Sequence, residues 1–223
     1  GQIIIPFMGS DTIVDDLADN CNFSGDGVCV HESVYRGVVT IPNNGFNYIL
    51  AYQRCCRNGS LDNIEDPLTV GSTYSINLTT DAMETCNNSP EFREWANVYA
   101  CANQALVFDH SATDAEGDSL VYRLCNPKDG ATFDDPFPQP PAGPPYEDVP
   151  FANGFSVTDV LGSAVPLTID PNTGVIEALP QILGQYLVGI CVDEYRDGVL
   201  LSTTTRDFEI NVIPNFELEQ LLR

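Results

Sequence analysis

Apolar residues in this chain come in short runs, each closed by a cluster of Gly, Pro or Asn. Sustained helical spacing is nearly absent. That punctuation excludes a helical bundle and predicts a β protein of many short strands. The candidate strands are residues 3–7, 34–41, 47–54, 73–78, 105–110, 119–124, 155–157, 175–178, 184–192 and 203–212. Pro-Asn-Asn-Gly at 42–45 reads as a turn between two strands, and Asp-Pro-Asn-Thr-Gly at 170–174 as another. Residues 92–96 form the one plausible helical turn, with Trp95 anchoring it in a core. Residues 134–150 carry Pro136, Pro138, Pro140, Pro141, Pro144, Pro145 and Pro150. Proline removes ladder donors, so this stretch is expected to run as an extended excursion over the surface.

With 223 residues, 43% of them hydrophobic, the chain can build a sizeable core. Its first half is cysteine-dense and irregular, and its second has the strand spacing of a sandwich. The expected organisation is a cysteine-rich β module over 1–98, a β-sandwich over 99–214 and a tail or linker over 215–223. No apolar run approaches the roughly 20 residues that a membrane-spanning helix needs, so membrane insertion is not expected. The sequence starts at Gly1 without a basic-plus-apolar leader and reads as mature or as a cut from a longer precursor.

The cysteines are Cys21, Cys29, Cys55, Cys56, Cys86, Cys101, Cys125 and Cys191. They are even in number and contain no C-x-x-C pair, which favours disulfides in an oxidising compartment over zinc. Connectivity is open. Cys21 and Cys29 flank a short loop, adjacent Cys55 and Cys56 should face opposite sides of a strand and bond elsewhere, Cys86 and Cys101 are candidates for each other, and Cys125 and Cys191 remain.

Charge removes whole classes of function. Asp plus Glu number 32 against 9 for Lys plus Arg, a net charge of −23, and Lys128 is the only lysine. Nucleic acid requires a basic footprint, and anionic membrane surfaces attract basic ones, so neither is a partner. An acidic, lysine-poor chain suits an extracellular setting, where salt and divalent ions screen its self-repulsion.

The run His110, Asp114, Glu116, Gly117, Asp118, Leu120, Tyr122 is followed by Ile169 to Ile176 around Asp170 and Gly174, then by Gly184, Tyr186, Val188, Ile190, Val192 and Asp193. In order and spacing it resembles the cadherin-like Ig-fold repeats of bacterial surface proteins, over about residues 105–212. In the first half, Gln53-Arg54-Cys55-Cys56-Arg57-Asn58, with Asn63-Ile64, Gly71 to Tyr74, Cys86 to Pro90 and Tyr99 to Asn103, forms a second set. This set resembles the cysteine-rich module of gliding-motility-associated, type IX-secreted surface proteins of Bacteroidota, adhesins among them. The resemblance implies an all-β fold: an Ig-like or cadherin-like Greek-key sandwich plus a cysteine-rich β module. It implies a place, the cell surface, and a structural or adhesive role, and no reaction.

Asp114, Glu116 and Asp118 alternate on one loop, with Gly117 allowing a tight turn, a pattern suited to a hard cation such as calcium. Gly and Glu are missing where an EF-hand needs them. Asp109, Asp193, Glu194 and Asp197 are candidates to join that pole, and the competing expectation is a capped, solvated turn. Asp15, Asp16, Asp19 and Asp26 form a second acidic cluster. Catalysis has little support: His31 and His110 are the only histidines, no nucleophile-elbow, metalloprotease or phosphate-loop motif occurs, and nothing selects two carboxylates as a glycosidase pair. His110 is expected to make a structural hydrogen bond. Arg54 and Arg57 are expected to pair with carboxylates inside the module.

Asn22, Asn58, Asn77 and Asn87 begin N-x-S/T triplets, a common pattern. Thr12 and Ser119 follow Asp and precede an apolar residue, which resembles the Bacteroidota O-glycosylation pattern. Ile3, Ile4, Ile5 and Phe7 form a short apolar strand without an evident hairpin partner, a candidate for head-to-tail donation to another copy of the chain. The functional expectation is a non-enzymatic, secreted structural or adhesive surface protein, a candidate filament subunit with calcium at one pole. The alternative is a carbohydrate-binding module using Tyr146, Phe151, Phe155 and Tyr195.

Overall fold

A computed structural model describes residues 2–13, 30–95 and 99–215. Its strands are β1 (Phe7–Ile13), β2 (Val30–Tyr35), β3 (Tyr48–Arg54), β4 (Ser72–Leu78), β5 (Glu91–Phe92), β6 (Tyr99–Cys101), β7 (Leu106–Asp109), β8 (Ala112–Thr113), β9 (Ser119–Leu124), β10 (Thr168–Ile169), β11 (Val175–Ala178), β12 (Gly184–Arg196) and β13 (Val199–Ile213). One short helix, α1 (Thr80–Glu84), comes after β4. The fold is all-β.

Two sheets make a sandwich. One has the order β10-β11-β7, the other β6-β13-β12-β9. Alternation along each strand sends one set of side chains inward. Phe108 and Ile176 from the first sheet meet Tyr186, Val188, Ile190, Ile210 and Val212 from the second in the main core. The long β12–β13 hairpin turns at Asp197 and Gly198, both at positive φ.

β12 is buried continuously over residues 186–192 because it is covered on both faces. Leu187 points away from the main core and packs with Leu61, Ile64, Val70 and Val149. A side chain at Gly189 would meet the carbonyl oxygen of Cys125 at 2.3 Å, so only glycine fits where residues 125–127 cross the strand. Buried Asn63 replaces backbone partners: its Nδ2 donates to the carbonyls of Val160 and Leu187, and its Oδ1 accepts from Leu187 N.

Side-chain contacts link residues on the two sides of the division expected at residue 98. Arg57 does find a carboxylate, but across that line: it pairs with Asp207 of β13 at 2.8 Å, both side chains 6% exposed. Arg57 Nε also donates to Gly71 O, and Tyr74 Oη donates to Asp207 Oδ1 at 2.7 Å. Burial, then the Asp207 charge, pushes the Tyr74 phenol well up. Gln53 donates to Thr73 and accepts from Ala142 N, while Asn58 donates to Gln185 and Glu209. The Gln-Arg-Cys-Cys-Arg-Asn string is therefore largely a fastening between module and sandwich. Arg54 has no carboxylate partner among the described residues and lies over the Phe137 ring instead.

Several expectations need correction. The N-terminal strand is Phe7–Ile13 rather than 3–7, and it is paired, antiparallel to β2. Pro6 and the β-bulge near Gly9 set where regular pairing begins. The strand expected at 34–41 ends at Tyr35, so the 42–45 turn does not join two strands. Residues 155–157 form no strand, and residues 92–95 form no helical turn. Trp95 is not in a core: it is exposed, stacked on the Arg206 guanidinium, which also covers Phe92.

Cys125 and Cys191 are bonded, tying the residue that follows β9 to its neighbouring strand β12. Cys55 and Cys56 are bonded to each other, not to separate partners. Cys101 is disulfide-bonded and Cys86 is free, so those two are not a pair. Cys21 and Cys29, the acidic cluster 15–26 and the tail beyond Asn215 lie outside the described residues. The disulfides place the folded chain in a non-reducing environment. Among the described residues no helix is long and apolar enough to cross a membrane.

Candidate functional site

The loop between β8 and β9 brings three carboxylates together. Asp114 Oδ1 accepts from the backbone N–H of Glu116 (3.0 Å) and of Asp118 (2.8 Å), folding the loop back on itself. Gly117, at φ +83°, allows the reversal. One ligand atom each from Asp114, Glu116 and Asp118 then lie within 4.8 Å of one another. Asp114 Oδ2 is buried without a hydrogen-bond partner.

Partners arrive from two other segments. Asn88 donates to Glu116 through its backbone N–H (3.2 Å) and its amide (2.5 Å). Arg196, at the end of β12, donates Nε to Asp118 Oδ1 (2.7 Å) and a terminal nitrogen to Oδ2 (2.5 Å). Those hydrogen bonds hold the Asp118 carboxyl below the usual carboxylate range. The guanidinium also donates to Asn87 Oδ1.

Glu194, from β12, is fully buried behind the loop. Its carboxylate accepts from Asn87 (2.8 Å) and Ser202 (2.5 Å). Burial raises its pKa, and neighbouring Asp114 pushes the same way, against the lowering by Ser202 and Asn87. Glu194 thus joins the acidic pole. Asp193 does not: as the adjacent residue it takes the other face of the strand, where Arg123 and Thr203 hold it. Asp109 does not either, because it accepts from Ser111 N at the end of β7.

A groove of about 460 Å³ opens beside the loop, lined by Arg93, Thr113, Asp114, Asp118, Ser119 and Asn172 among others. Ser119 is exposed there, at the start of β9, and Thr12 is exposed on β1 beside His31. The chemistry of the pole is that of oxygen donors crowded around one partly unsatisfied carboxylate, a fit for a hard cation. Arg196 already neutralises part of that charge. The contributions of Asn87, Asn88, Ser202 and Arg196 are invisible in sequence, because three distant segments supply them.

His110 makes none of the hydrogen bonds expected of it. It is 1% exposed and neither ring nitrogen has a partner. Its ring packs among Phe92 (4.9 Å), Phe208 (5.3 Å) and Phe108 (5.7 Å). Burial is the main cause that lowers its pKa to about 4, helped by Arg206 and opposed by Asp109.

The exposed apolar surface lies elsewhere. Ile3, Ile4 and Ile5 are exposed but outside any strand, and Phe7, Met8, Val34 and Tyr35 are exposed on the β1–β2 ribbon. Of the aromatics expected to bind sugar, Phe151 and Phe155 pack against the main core, and Tyr146 and Tyr195 are part-buried. Tyr52 and Phe137 form an exposed tilted pair instead, with ring centroids 5.7 Å apart. No family profile and no curated protein matches the chain.

Proposed function

We propose that this chain is a non-enzymatic, secreted cell-surface protein with a structural or adhesive role, a subunit of an extracellular filament. The observation that carries the reading is the β1–β2 ribbon. It exposes Phe7, Met8, Val34 and Tyr35 on a sheet of only two strands. A ribbon of two strands is marginal in water, and its exposed Phe7–Tyr35 ring pair, centroids 5.5 Å apart, offers apolar surface for a contact. The strongly acidic charge and the disulfides support an extracellular setting, and the resemblance to Bacteroidota surface modules points the same way.

Calcium belongs to this reading as a stiffener of the sandwich pole. The unsatisfied Asp114 Oδ2 and the proximity of Glu116 and Asp118 support it. Asp114 and Glu116 would hold the ion, with Asp118 shared with Arg196. Thr12 and Ser119 are both accessible for glycan attachment. Carbohydrate binding remains the second reading, now favoured at the Tyr52–Phe137 pair, where exposed rings offer a face to a sugar.

Negative-stain electron microscopy of the natively secreted material, with and without a calcium chelator, tests the proposal. Filaments are expected, and they should shorten or disperse in chelator. The Asp114→Asn variant should resemble the chelated state. Isolated particles under every condition would remove the filament reading.

A further inference from the structure

We infer that copies of this chain become joined by thiol–disulfide exchange, the free thiol of Cys86 in one copy attacking the Cys55–Cys56 disulfide of the next at Cys56. This rests on the filament reading and gives its subunits a covalent link.

Each chain presents both reactants. Cys86 is the one free cysteine among the described residues, and it is exposed, in the turn that ends α1. Cys55 and Cys56 are bonded to each other, with Cys55 buried and Cys56 exposed. The other disulfide-bonded cysteines among the described residues, Cys101, Cys125 and Cys191, are buried. Exchange requires the attacking thiolate to reach a sulfur, which makes Cys56 the point of entry. The Cys55–Cys56 cross-link spans one position and Cys125–Cys191 spans 66. A short cross-link constrains the unfolded chain far less than a long one, so opening it costs the fold least.

The step balances within the two chains. Cys86 gives up its proton to solvent and its sulfur bonds to Cys56. The Cys55–Cys56 bond breaks, and the Cys55 sulfur leaves with the electron pair and takes up a proton. One S–S bond is lost and one is gained, so no outside oxidant or reductant enters. Cys55 stays beside the new bond and reverses it once the copies separate. The link therefore lasts only while the copies remain docked, which the filament contact provides.

The attacked disulfide belongs to a second copy because the two sites stand at opposite ends of the β3–β4 hairpin. Cys55 follows the end where Arg54 pairs with Ser72. α1 and then Cys86 follow the other end, where Leu78 pairs with Tyr48. Strands of seven residues separate those ends by roughly 20 Å, at about 3.3 Å per residue. The β12–β13 hairpin spaces them the same way. Asn87, next to Cys86, donates to Glu194, which is opposite Ser202, while Arg57, next to Cys56, pairs with Asp207 further along β13. A disulfide needs Cα atoms within about 7 Å, so Cys86 does not reach Cys56 of its own chain. A contact between two unlike sites, one of each per copy, repeats head to tail and need not close.

The test uses the full 223-residue chain, kept free of reductant and incubated over a concentration series. Samples are acid-quenched, alkylated while denatured, and read by non-reducing electrophoresis and peptide mass mapping. A covalent ladder is expected, with a Cys86–Cys56 linked peptide and an alkylated Cys55. Cys86→Ser should lose the ladder, and so should the double variant Cys55→Ser with Cys56→Ser. An equimolar mixture of the two should give dimers and nothing longer, because each supplies one half of the reaction and lacks the other. Far-UV circular dichroism shows whether each variant is folded. Blocking exposed Cys86 with a maleimide in the folded wild type should also abolish the ladder, and it needs no variant to fold. A ladder that survives the loss of Cys86, or linked peptides that join other cysteines instead, overturns the exchange. Filaments in the electron microscope without a Cys86–Cys56 link overturn it and leave the filament reading intact. Absence of both filaments and links overturns the two together.

Discussion

Removing the Asp207 carboxylate should unfold the joint between the two halves of the chain. Arg57 reaches that carboxylate at 2.8 Å and Tyr74 at 2.7 Å, inside a contact where both charged side chains are 6% exposed. Asp207→Ala leaves the guanidinium buried without a counter-charge, a loss of about 3–5 kcal/mol. In a domain of this size each kcal/mol shifts Tm by about 2–4 °C, so the expected fall is about 6–20 °C. Thermal unfolding monitored by circular dichroism reads it. Two companion variants separate the contributions. Tyr74→Phe removes one hydrogen bond and should cost about 1 kcal/mol. Arg57→Met combined with Asp207→Leu replaces the pair with apolar volume and should recover most of the loss, because neither charge is then stranded. If Asp207→Ala melts within about 2 °C of wild type, below the shift that even one kcal/mol gives, the pair is not a buried fastening and the reasoning fails.

His110 is held neutral, its pKa lowered from 6.5 to about 4, so its contribution is complete above about pH 6.5 and is lost as pH falls toward 4, where the unfolded chain takes up the proton first. His110→Phe should remove that acid-limb loss, at most roughly 3 kcal/mol, and leave Tm at pH 8 unchanged or higher; an unaltered difference between the pH 8 and pH 4 melts would refute it. Replacing Cys125 and Cys191 together by Ala opens a cross-link spanning 66 positions and should cost about 4 kcal/mol in a denaturant titration, whereas a loss below about 1 kcal/mol would show that the cross-link constrains the unfolded chain little.

Local chemistry was legible in the amino-acid order alone. Short apolar runs between Gly, Pro and Asn dictated an all-β chain, and the strands at residues 119–124 and 175–178 can be read to the residue because alternation and flanking turns agree there. Asp114, Glu116 and Asp118 converge because all three sit on one loop, whose turn is written in Asp114 and Gly117. Contacts between segments distant in sequence were settled by the packed chain. Strand parity made Glu194 rather than Asp193 the fourth acid of the pole. The pairing of Cys55 with Cys56 and the freedom of Cys86 depend on where backbones approach, which spacing does not encode. Likewise Arg57 reads as a local cation until β13 delivers Asp207, and Trp95 reads as a core anchor until Arg206 meets it at the surface. Periodicity reports which face a residue takes within its own element; which element covers that face is set by packing over the whole chain.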